Sequence, residues 1–155
     1  MVRIAKREEL QRVNEIRKQV AVLHANGRPD IFRDDFPQEM QDLVYLAFDA
    51  ENSDVLVVIR DEIIVGFAMV DYVTKPFSLY NIERKYYEIR EFGVDESFRR
   101  NGAGKELFDY IKNDAKQKKF DRLELDMWEF NQNALKFYEA VGFKTYRRYM
   151  EADIK

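Results

Sequence analysis

Arg99-Arg100-Asn101-Gly102-Ala103-Gly104-Lys105 decides how this chain reads, because it joins a strand pattern to a helix pattern. Before it, Tyr86–Val94 is a run of strand-forming residues, with Gly93 where a bulge or a close backbone approach is expected. After it, Ala103, Leu107, Tyr110, Ile111 and Ala115 fall on one helical face. Glycines in such a join let the backbone turn sharply and keep side chains clear. The first amides of the helix have no intrahelical partner, and the helix dipole adds partial positive charge there. That combination suits a pyrophosphate, and Arg99, Arg100 and Lys105 add charge around it. The other reading is a tight turn carrying solvated basic residues. Two phosphate motifs are excluded by spacing: Arg99 and Glu106 break a Walker loop, and Leu107 replaces the third glycine of a dinucleotide fingerprint.

Working outward, Val2–Ala5 reads as an edge strand. Leu10, Val13, Ile16, Val20 and Leu23 form the stripe of an amphipathic helix that Asn26-Gly27 and Pro29 end. A second helix is expected from Pro37 to about Ala50. Val55–Ile59 and Ile63–Val70 are apolar runs joined by Arg60-Asp61-Glu62, a hairpin of central strands. Leu123, Leu125 and Met127 alternate with charged residues as a further strand. Asn131 caps a helix that Gly142 closes, and Phe143 to about Asp153 is a last strand. The order is strand, two helices, three strands, helix, strand, helix, strand, a mixed α/β sheet with hairpins first and helical crossovers later.

Bulk properties exclude several classes. The 155 residues fit one domain over 1–155, with 46% hydrophobic and 35% charged residues, a globular profile. A net charge of −3 gives no nucleic-acid signature. Without cysteine there is no disulfide, thiolate nucleophile or Cys-type zinc site, and no metal is expected. No apolar run approaches the roughly 20 residues that span a bilayer, and the N-terminus lacks the apolar core of a signal peptide. A cytoplasmic protein without membrane partners is the expectation.

A second block, Asn131-Gln132-Asn133-Ala134-Leu135-Lys136-Phe137-Tyr138-Glu139-Ala140-Val141-Gly142-Phe143, follows the first by one helix and one strand. With Arg-x-x-Gly-x-Gly at Arg99–Gly104, it resembles the coenzyme A-binding pattern of the GNAT superfamily of acetyl-coenzyme A-dependent N-acetyltransferases. The specific motifs cover about Tyr86 to Tyr149. His24-Ala25-Asn26-Gly27-Arg28-Pro29-Asp30-Ile31-Phe32 is similar to some members as well.

The resemblance implies a mostly antiparallel central sheet of six to seven strands flanked by helices and splayed near Val94. It implies that Arg99, Arg100, Asn101, Gly102, Ala103, Gly104 and Lys105 hold the coenzyme A phosphates. Backbone groups at Phe92, Gly93 and Val94 would bind the pantetheine arm, with Asn131 and Phe137 on the cofactor side of the cleft. Tyr138 is placed beside the thioester sulfur, where a phenol that stays protonated can serve as general acid; packing is its other reading. Relatives commonly carry a carboxylate at the place held here by Arg90, which departs from the pattern. Glu91 and Glu88 are its neighbours. Strand alternation puts Glu91 on the face opposite Arg90, and only a bulge would re-aim it. Glu91 is the named candidate base, with a water chain as the alternative. His24, the single histidine, is read as a helix-end or loop residue rather than the base.

The implied reaction is direct acetyl transfer from acetyl-coenzyme A to a primary amine of a small molecule or peptide. The rivals are a non-catalytic acyl-coenzyme A-binding or sensor domain and an interaction module. Asp30, Asp34, Asp35 and Glu39 either draw a cationic amine to the acceptor side or form a solvated acidic loop. Homodimers are among the assemblies the resemblance implies.

Overall fold

A computed structural model describes all 155 residues. Strand β1 (Val2–Ile4) leads through a short 3-10 turn into α1 (Leu10–Gly27) and α2 (Gln38–Asp49). Then come β2 (Ser53–Arg60), β3 (Ile63–Lys75), β4 (Arg84–Val94), α3 (Ala103–Gln117), β5 (Leu123–Glu124) and α4 (Gln132–Ala140). The strands lie in the order β1-β2-β3-β4-β5. The first four pair antiparallel, and β5 joins β4 in parallel after the α3 crossover.

Two apolar layers explain why β2 and β3 read as continuous β-branched runs. Val55, Val57, Phe67 and Met69 pack beneath α1 and α2, against Leu10, Val13, Ile16, Val44 and Ala47. Leu56, Val58, Val65, Ala68 and Val70 pack on the other face, against Leu107, Phe108 and Ile111 of α3. A strand covered on both faces needs apolar residues at every position. The β2–β3 hairpin turns on two residues, Asp61 (φ 47°) and Glu62 (φ 66°), the left-handed pair whose twist matches the flanking strands. Arg60 belongs to β2 and pairs with Ile63.

The sheet has five strands, not six or seven. Strand β5 ends at Glu124 rather than Met127, and no strand forms over residues 143–153. Past Glu124 the chain no longer pairs with β4. Residues 144–155 are exposed throughout and none of their backbone groups bonds to another backbone group. With no face buried, nothing selects a register for a last strand. Side chains tether this segment instead: Tyr146 donates to Glu124, and Arg28 pairs with Glu151. No helix is long and apolar enough to cross a membrane.

Candidate active site

The bend in β4 is a β-bulge. Met69 lies opposite Glu91 and Val70 opposite Ile89, so Arg90 is an extra residue in β4. Its side chain pairs with Asp71 at 2.9 Å. The bulge lies at Arg90, not at Gly93, which pairs regularly with Phe67. It reverses the alternation of the strand. Tyr87 and Ile89 before it, and Phe92 and Val94 after it, all face the α3 core. Glu91 and Gly93 therefore face α1.

Glu91 meets Arg17 there. Its two oxygens accept from Arg17 Nε at 3.0 Å and a terminal Arg17 nitrogen at 3.2 Å. Arg17 is buried and also donates to Asn14 and to the Met40 carbonyl. Glu88, on the closed stretch beside β5, is half-buried; burial, then the nearby charges of Asp71 and Asp126, raise its carboxyl above the ordinary range. Asp95 ends β4. Burial works against its charge, yet the Ser97 amide and Arg12 hold its carboxyl below the ordinary range.

β5 pairs with β4 only at Tyr87–Leu123 and Glu88–Glu124, so the β4 edge beyond is open. The Asp95 amide bonds to Val65 on the β3 side. Alternation then turns the N–H and C=O of Phe92 and Val94 toward the open edge. The turn at Arg99–Lys105 stands beside this edge. Arg100 (φ 68°) and Gly102 (φ 84°) are left-handed, which curls successive amides into a concave cradle. Asn101 caps Ala103 N–H at 3.3 Å, while the amides of Gly104 and Lys105 have no protein partner. A β-carbon at Gly104 would stand 3.6 Å from Phe137 and 3.7 Å from Val94, so the helix start, strand edge and α4 converge. Arg99 reaches the Val94 carbonyl at 3.4 Å, and Lys105 pairs with Asp109 along its own helix.

Helix α4 closes the other side. The Asn131 side chain accepts from Ala134 N–H at 3.2 Å and caps it. Phe137 and Tyr138 pack on Phe92 with ring centroids 5.7 and 6.2 Å away. Tyr138 also meets Phe143 at 5.6 Å, while its hydroxyl bonds to no protein group and is not sealed from solvent. Burial pushes its phenol up to about 12, so it stays protonated at neutral pH.

Two features outside the motif blocks complete the site: Arg17 and an aromatic wall at the end of α1. Arg17 carries a visible signal: it sits within the stripe of Val13, Ile16 and Val20, where a charge needs a buried partner. The wall consists of Phe32, Trp128 and Phe130 around His24, with the His24 and Phe32 rings 5.0 Å apart and Phe32 and Trp128 4.9 Å apart. No local periodicity marks these residues, since they come from two loops distant in sequence. No group of three His, Cys, Asp or Glu side chains gathers as a metal site would require.

The profile described as the Acetyltransferase (GNAT) family matches residues 23–143. Among solved structures, a tetramutant of the BH1408 protein from Bacillus halodurans is similar, with 30% identity, a TM-score of 0.94 and 99% of each chain covered. The aminoglycoside N-acetyltransferase AAC(6')-Iy in complex with CoA shares the fold at 17% identity and a TM-score of 0.76, over 100% of this chain and 94% of that one. The aminoglycoside antibiotic 6'-N-acetyltransferase AAC(6')-IG from Acinetobacter haemolyticus shares it at 14% identity and 0.74, over 100% and 98%. No curated protein matches significantly.

Proposed function

The chain belongs to the acetyltransferase (GNAT) family, and from that premise we propose how its residues divide the work of moving an acetyl group from acetyl-coenzyme A to a primary amine. One observation carries the assignment. Unpartnered amides of Gly104 and Lys105, the open edge at Phe92 and Val94, and the free Tyr138 hydroxyl gather around one gap. The residues fit the cosubstrate: the left-handed cradle offers amides to a pyrophosphate, with Arg99 and Arg100 exposed beside it. The open strand edge offers hydrogen bonds to the amides of a pantetheine arm, as an added strand would.

In this reading, the Val94 amide stabilises the oxyanion. Tyr138 donates a hydrogen bond to the departing thiolate. Glu91, engaged on both oxygens by buried Arg17, anchors α1 to β4 rather than taking the substrate proton. Asn131 caps α4 and so fixes Phe137 and Tyr138 against Phe92. The acceptor is a small-molecule or peptide amine entering from the α1 side. The whole chain acts as one catalytic domain drawing on cytoplasmic acetyl-coenzyme A.

A second copy of the chain is the occupant proposed for the β3–β4 loop. Phe77, Leu79, Tyr80 and Ile82 there are 75–90% exposed, far along β4 from the gap. They present about 600 Å² of apolar surface, at the top of what a monomer usually shows.

Titration calorimetry with acetyl-coenzyme A, followed by thiol release across an amine panel, tests the assignment. Binding with amine-dependent thiol release is expected. Binding without release in any amine would instead favour a sensor domain, and absence of binding would refute the cosubstrate assignment.

A further inference from the structure

Helix α1 bridges the two banks of the gap on the face away from α3. On the β4 bank, Val20 presses on Gly93: a β-carbon at Gly93 would stand 2.9 Å from Val20 Cγ2. On the β5–α4 bank, the Phe130 ring lies so close over Gly27 that a β-carbon there would collide with it. Phe130 directly precedes Asn131, the cap of the helix carrying Tyr138. His24 lies between these two contacts, one turn beyond Val20, on the side of α1 that makes both of them.

The orientation of its ring is fixed. His24 Nδ1 is 2.9 Å from the Val20 carbonyl. A carbonyl only accepts, so Nδ1 carries the hydrogen and Nε2 of the neutral ring carries the lone pair. No protein group bonds to Nε2, and the ring is half-buried, packed on Phe32 and at 5.9 Å edge-on to Phe130. The two candidate carboxylates of β4 are placed otherwise. Both Glu91 oxygens accept from Arg17. Glu88 lies opposite Glu124 in the backbone register, where the strands are still closed, four residues, or roughly 13 Å, from Phe92.

The same segment describes the acceptor's surroundings. Asp30 is taken by Arg28, which also holds Glu151, and Asp35 is taken by Arg33. Half of the acidic stretch is thus neutralised within its own loop. The surfaces left beside His24 are the rings of Phe32, Trp128 and Phe130, with Trp128 37% exposed. Ring faces hold an apolar stem, and they attract its ammonium before it gives up a proton.

We propose that His24 Nε2 is the general base and that the acceptor is a primary amine on an apolar or aromatic stem, seated against Phe32, Trp128 and Phe130. This rests on the acetyltransferase reading above. The ammonium gives one proton to Nε2. The freed nitrogen pair attacks the thioester carbon, a C–N bond forms, and the C–S bond breaks with its pair leaving on sulfur. The nitrogen sheds a second proton to water as the amide forms, and the thiolate, held by the Tyr138 hydrogen bond, takes one from water. One proton in all leaves, on the imidazole.

The test is thiol release by the full chain with phenethylamine, spermidine and an aminoglycoside, together with chemical rescue. In the wild type, phenethylamine is expected to give kcat/KM at least tenfold above spermidine. His24→Ala should lose roughly 10²–10⁴-fold in kcat, and added imidazole should restore at least tenfold of it. His24→Asn, whose amide can still donate to the Val20 carbonyl, should stay folded and equally slow, and serves if the alanine variant does not fold. A folded variant within threefold of wild type, or a loss in His24→Ala that imidazole leaves untouched, overturns the base assignment. Preference for spermidine overturns the acceptor class. A wild type that releases no thiol with any amine instead sinks the acetyltransferase reading itself.

Discussion

Replacing Tyr138 by Phe removes one oxygen and nothing else the fold depends on. The hydroxyl bonds to no protein group, so no buried donor or acceptor is orphaned. The ring contacts to Phe92, Phe137 and Phe143 remain. Stability should therefore change by less than about 0.5 kcal/mol, a shift of roughly 2 °C or less in Tm for a chain of this size. The effect on turnover follows from the phenol's acidity. Burial pushes it up to about 12, while a thiol sits near 8.5. Full proton transfer to a thiolate is uphill by several units, so the hydroxyl acts chiefly as a hydrogen-bond donor to developing negative charge. Such a bond contributes about 1.5–3 kcal/mol, or roughly 10–100-fold in kcat. Single-turnover thiol release would measure it, with calorimetric acetyl-coenzyme A affinity unchanged. The raised phenol also predicts that no activity is lost to Tyr138 ionisation between pH 7 and 10. Turnover of Tyr138→Phe within twofold of the parent, with chemistry rate-limiting, would leave Tyr138 as packing alone.

Three further outcomes are expected. Gly104→Ala should keep most coenzyme A affinity, because its β-carbon meets only ordinary contacts at 3.6–3.7 Å, whereas Gly104→Asp should abolish binding in a folded protein by placing a carboxylate in the phosphate cradle; equal affinities by calorimetry would refute the cradle. Leu79→Asp with Tyr80→Asp should convert a dimer to a monomer in light scattering at unchanged Tm, and a wild type monomeric at high concentration would refute the interface. Glu9, which Arg3 holds down to about 2 through paired hydrogen bonds, should contribute stability that is present above the ordinary carboxylate range and lost as pH falls through about 2; acid titration of Glu9→Gln should show a flatter loss below pH 4.5, and an identical profile would refute the contribution.

Local chemistry made some of this readable and hid the rest. The Gly102–Gly104 turn is legible because its requirement is local: a left-handed residue before a helix and no side chains over the first amides. The α4 block is legible through its cap at Asn131 and its paired aromatics. The β2 and β3 runs announce burial on both faces, and two helical layers provide it. Residues 143–153 mislead, because their aromatic, β-favouring composition says strand while no neighbour offers them a register. Propensity in a strand describes fit to a half-buried surface, and these residues have none. His24 was legible as a helix-end residue only; its place beside Phe130 depends on Gly27 accommodating that ring, a contact across more than a hundred residues.

The bulge at Arg90 is the feature that converts a sheet into a site. Without it, Glu91 would share a face with Ile89 and point a carboxylate into the α3 core, where no cation waits. With it, Glu91 turns to buried Arg17 and ties α1 across β4. Phe92 and Val94 take up the core alternation that Glu91 vacates, so the apolar face continues to the end of the strand. The same extra residue bends β4 where its pairing with β5 stops, and the edge at Phe92–Val94 opens beside the amides of α3. One inserted residue thus opens the gap and fastens α1 over it. That fastening holds the Val20 turn of α1 against Gly93 on one face of β4, while Phe92, packed against Tyr138, lines the other. Local pattern cannot reveal it, because a bulge is chosen by the two cores it reconciles rather than by the residue inserted.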